Sequence, residues 1–72
     1  MASQQNIRNF QNAVGIGNDN RVEELADIMP IAVLKAALER CKRLNRDEDR
    51  PYQSTLEIVE AALIEKMRQQ SR

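Results

Sequence analysis

Apolar residues recur along this chain at helical rather than strand spacing. Ile7, Phe10 and Val14 stand at i, i+3 and i+7, which predicts a short helix within the Gln- and Asn-rich stretch from about Ser3 to Val14. Gly15 and Gly17 are expected to stop it, because glycine tolerates the left-handed backbone of helix ends. Asn20 with Glu23 three residues on fits a capping box, and Val22, Leu25, Ala26 and Met29 supply the inner face of a second helix. Pro30 interrupts that pattern. A proline is costly inside a helix but well placed in a first turn, so a break is expected near Ile28–Met29. Asp27 is then the candidate cap of a third helix running to about Asn45.

In that third helix Ile31, Leu34, Leu38 and Cys41 alternate three- and four-residue steps, and Val33, Ala37 and Leu44 widen the stripe into a core-facing surface. Asn45 to Gln53 reads as a polar loop restrained by Pro51. Ser54-Thr55-Leu56-Glu57 then matches the S-x-x-E capping box and opens a fourth helix to about Gln69. Its main stripe is Leu56, Val59, Leu63 and Met67. Ile58 and Ala62 lie away from that line and Ile64 lies on another flank, so this helix has more apolar surface than one neighbour covers. The pattern predicts an all-α fold of three to four short helices in one domain, residues 1–72. The third and fourth helices form a C-terminal antiparallel hairpin, and the order of residues 1–17 is left open.

Size changes the picture. A 72-residue chain buries only about 60% of the surface it exposes when unfolded. Ordering it costs roughly 1.5 kcal/mol per residue. Small proteins offset this with disulfides, metals or further subunits. Cys41 is the only cysteine and histidine is absent, so neither an intrachain disulfide nor a Cys/His zinc site is expected. Association with another copy or a larger protein partner remains. Ile58, Ala62, Ile64 and Met67 are the expected interface.

Charge is balanced, with 11 basic and 11 acidic residues, so no global field draws the chain to nucleic acid or anionic membrane. No apolar run spans a bilayer, and the first residues, Met1-Ala2-Ser3-Gln4-Gln5-Asn6, lack the pattern of an export signal. With a lone thiol, this predicts a cytoplasmic protein with no membrane partner.

Catalytic chemistry is not expected. The commonest general base is missing, Ser54 reads as a cap, and Ser3 and Ser71 fall in fraying termini. The acidic run Asp47-Glu48-Asp49 lacks the fuller ligand pattern of a calcium loop and reads as solvated. Gly15-Ile16-Gly17 has neither the preceding strand nor the third glycine of a phosphate loop. Cys41 falls on the Leu34–Leu38 face and is expected to pack rather than react. The reading is therefore an enzyme-free chain with no cofactor, no metal site and no small-molecule substrate.

Lys35, Lys42 and Arg46 lie along one side of the third helix with Arg43 at its edge, a stripe that could follow a phosphate backbone. Glu39 sits within it and can pair with Lys35, Lys42 or Arg43 at helical spacing. Val22-Glu23-Glu24-Leu25-Ala26, followed by Val33-Leu34 and Ala37-Leu38-Glu39-Arg40, resembles the apolar rhythm of helix-turn-helix regulators. That resemblance implies a second helix presented to the major groove. The sequence departs from the family in placing Met29-Pro30 where a glycine-centred turn belongs, and Ile31-Ala32-Val33-Leu34 at the start of the would-be reading helix. Two functions follow as expectations: a regulatory or adaptor protein working through helical protein–protein contacts as a homo-oligomer, and alternatively a small dimeric DNA-binding regulator.

Overall fold

The computed structural model describes residues 3–46 and 48–71. Four helices make up the fold: α1 (Gln4–Ile16), α2 (Asp19–Ala26), α3 (Ile31–Leu44) and α4 (Gln53–Gln70). Among the described residues all of the regular structure is helical, as the spacing predicts. The most extensive packing is between α3 and α4, joined by an eight-residue connector into an antiparallel hairpin. α2 packs on both α1 and α4, and α1 also crosses α3.

The helix ends differ in several places from the local sequence signals. Ser3 caps α1, its Oγ accepting from the Asn6 amide at 3.1 Å, where the sequence suggested a fraying end. Gly15 lies inside α1. The stop is Gly17, at φ 68°, whose amide donates to the Val14 carbonyl at 3.2 Å while the Asn18 amide donates to that of Ala13 at 2.9 Å. This paired closure is a Schellman motif, and glycine alone reaches that backbone without strain. The α2 cap is Asn18 rather than Asn20, its side chain accepting from the Arg21 amide. Asp27 closes α2 and does not cap α3, which starts directly after Pro30. Here proline supplies the extended residue before the first turn, so the break expected near Ile28–Met29 falls where its ring costs least.

The core consists of Phe10, Ala13 and Val14 from α1, Val22, Leu25 and Ala26 from α2, Met29, then Leu34, Ala37 and Cys41 from α3, and Val59 and Leu63 from α4. Residues 4–16, whose order the sequence leaves open, therefore contribute the only phenylalanine to the centre. Ile31, Val33, Leu38 and Leu56 pack against this cluster while keeping partial exposure. Burying a Phe-sized side chain stabilises by about 1.5–3 kcal/mol, so α1 is an integral part of the fold.

The α4 stripe is rotated from its predicted position. Thr55, Val59 and Leu63 are buried, whereas Leu56 is only half-buried and Met67 is 46% exposed. A polar threonine replaces the expected apolar residue at the inner face. The reason is a partner from a distant part of the chain, described next.

Candidate functional site

The first turn of α4 does not carry a capping box. Tyr52 occupies the cap position without a side-chain hydrogen bond, and Ser54 lies one residue inside the helix. The Ser54 and Thr55 hydroxyls instead donate to the two carboxylate oxygens of Asp19, the first residue of α2. Thr55 is 1% exposed, and its hydroxyl would be costly there without an acceptor. Asp19 thus fastens α2 to α4, and its charge also suits the positive end of the α2 dipole.

Three further side chains secure the same end of the bundle. The Tyr52 hydroxyl donates to the Gly15 carbonyl at 2.8 Å, and the Tyr52 amide donates to Asn45 Oδ1 at 2.7 Å. Arg40, on a different side of α3 from Lys35 and Lys42, reaches over α1 and donates from Nη1 to the Gln11 carbonyl at 3.1 Å. Its guanidinium lies so close to Gly15 that a Cβ there would stand 2.8 Å from Nη2. A glycine in a helix interior is the one sequence signal that points to this approach. Cys41 is fully buried nearby, as expected. Burial pushes its thiol above the ordinary range, the Asp19 carboxylate adds to that, and Arg40 opposes it. These contacts explain structure; among the described residues Asn45 Nδ2 is buried without a hydrogen-bond partner, and Arg40 uses only part of its guanidinium here.

The expected interface residues fall on two different flanks of α4. Ile58 and Ala62 are half-buried and line a shallow cleft of about 330 Å³ with Glu23, Ala26 and Asp27 of α2. The second neighbour of that flank is thus α2 of the same chain. Ile64 and Met67 remain 52% and 46% exposed, together on the side away from Ile58. Ile28, in the α2–α3 link, is exposed to a similar extent.

Lys35, Lys42, Arg43 and Arg46 are all exposed. Lys42 pairs with Glu39 at 3.5 Å, an exposed ion pair of little energetic consequence. α2 and α3 share a short connector, yet the main partners of α2 are α1 and α4 rather than α3. On the opposite edge of α3, Arg40 and Arg43 border a second cleft, of about 340 Å³, whose apolar lining includes Val14, Val33 and Ala37. The acidic run keeps Glu48 and Asp49 exposed, while Asp47 lies outside the described residues. Among the described residues no helix is long and apolar enough to cross a membrane.

The candidate site is therefore a surface: the outward flank of α4, with Ile64 and Met67 at its centre. No protein-family model, curated protein or solved structure matches this chain.

Proposed function

We propose that this chain is a non-enzymatic regulatory or adaptor module that works through helical protein–protein contacts as a homo-oligomer. The observation that carries the reading is the pair Ile64 and Met67, two large apolar side chains about half exposed on one flank of the longest helix. Single exposed apolar residues are ordinary, whereas two adjacent on a helix form a small patch of the kind that other chains cover. The small core makes the same point from the side of stability.

Sedimentation equilibrium over the micromolar range tests this. The expected mass exceeds the 8.3 kDa of one chain, and Ile64→Lys returns it to 8.3 kDa with the helical circular dichroism unchanged. A wild-type chain of 8.3 kDa throughout contradicts the reading. The alternative, a DNA-binding regulator, is favoured by the exposure of Lys35, Arg43 and Arg46. It predicts retention on duplex DNA that falls steeply with salt.

A further inference from the structure

Zero net charge hides two faces of opposite sign. α3 carries Lys35, Arg40, Lys42 and Arg43 against Glu39 alone, while Glu57 and Glu60 stand on the outward flank of α4 beside Ile64 and Met67, where the neighbouring Arg68 is paired with Glu65 at 3.8 Å. Among the described residues, neither Glu57 nor Glu60 has an ion-pair partner, and neither does Arg43. If copies met antiparallel through identical patches, Glu57 would face Met67 and Glu60 would face Ile64, or Arg43 would face Val33 and Arg40 Ala36, so each charge would be set against an apolar side chain. A contact between the two different patches joins opposite charges.

The spacing along the two helices agrees in detail. The outward flank of α4 reads Glu57, Glu60, Ile64, Met67, in steps of three, four and three residues. The face of α3 that borders the α1–α3 cleft reads Val33, Ala36, Arg40, Arg43, in the same steps. One runs acidic then apolar, the other apolar then basic. Laid antiparallel, they place Met67 against Val33, Ile64 against Ala36, Glu60 against Arg40 and Glu57 against Arg43. Both helices rise equally per residue, so all four pairs align at once. The small side chain of Ala36 leaves room for Ile64. The bond from Arg40 to Gln11 leaves most of its guanidinium donors available.

We propose that the partner of the α4 flank is the α1–α3 cleft of a second copy of this chain, joined head to tail by antiparallel pairing of α4 on α3. This rests on the self-association proposed above and specifies its geometry. Because each copy offers one strip and one cleft, the contact is heterologous and propagates into a ring or an open chain.

Two variants that each block one half test it. Ala36→Lys with Arg43→Ser closes the cleft and leaves the strip intact. Ile64→Lys with Glu57→Ser spoils the strip and leaves the cleft intact. All four positions are exposed, so circular dichroism is expected to report intact helices. In sedimentation velocity the wild type is expected to form species larger than a dimer, each variant alone to be monomeric, and an equimolar mixture to form a 1:1 dimer that dissociates as salt rises. A mixture that stays monomeric, or variants that still self-associate, overturns the head-to-tail pairing while self-association itself stands. A monomeric wild type overturns both. A monomeric wild type whose retention on duplex DNA is lost in the Arg43→Ser variant assigns the basic face to nucleic acid instead.

Discussion

The two sides of α4 are built on different principles. Its inner side, at the first turn, is fixed by directed polar contacts: Ser54 and Thr55 on Asp19, with Tyr52 on Gly15 and Asn45. Its outer side, two turns later, presents Ile64 and Met67 to water with no such contact. The polar fastening adds direction to the burial of Val59 and Leu63 on the inner side, whereas apolar surface is left over on the outside. The first side sets how the helices are joined, and the second is available to another molecule.

Substitutions on each side separate these roles. Asp19→Ala has the largest expected effect, because it leaves the buried Thr55 hydroxyl unpaired. Chemical denaturation is expected to show a loss of about 1–3 kcal/mol. Thr55→Val in the same background should recover part of that loss, since no buried hydroxyl then lacks an acceptor. Tyr52→Phe removes one hydrogen bond to the Gly15 carbonyl and is expected to cost about 1 kcal/mol, read from the denaturation midpoint.

Cys41 gives a smaller, pH-dependent effect. Its thiol is held above the ordinary range chiefly by burial. Below that range both folded and unfolded chains keep the proton and the full stability is present. As pH rises from about 9 toward the folded value, the unfolded chain releases the proton first and stability is lost. A thermal midpoint that falls over this range more steeply than that of Cys41→Ala is the expected result. On the outer side, Ile64→Ser in the monomer should change stability by no more than about 0.5 kcal/mol, while weakening self-association. A large loss of monomer stability there would erase the distinction between the two sides.

Much of the fold is legible in the order of residues. The phase of Phe10 and Val14, of Leu25 and Ala26, and of Leu34 and Cys41 identifies buried faces, because the 3.6-residue period needs only local sequence. Pro30 marks the α2–α3 break for the same reason. Ser54 misleads because its hydroxyl has two roles open to it in principle, accepting from a first-turn amide nearby or donating to a carboxylate 35 residues earlier, and only the tertiary fold brings Asp19 within reach. The rotation of the α4 stripe toward Thr55 follows from that one partnership. Gly15 misleads in the opposite way: it reads as a terminator but marks the approach of a guanidinium from α3.

The candidate surface is legible only in part. Excess apolar residues on α4 are visible from the sequence, and Ile64 and Met67 do stay exposed. The sequence pattern groups Ile58 and Ala62 with them, although α2 shares their cleft. A hydrophobic pattern shows which residues avoid water, not which neighbour shields them. Arg40 and Arg43 bordering the α1–α3 cleft likewise required the crossing of those helices, which local spacing does not encode.

Hydrogen–deuterium exchange as a function of protein concentration tests the division most directly. Amides of residues 60–70 are expected to gain protection as concentration rises, while those of 15–22, beside the polar fastening, keep the same protection throughout. Equal responses in both segments, or none in either, would contradict the account.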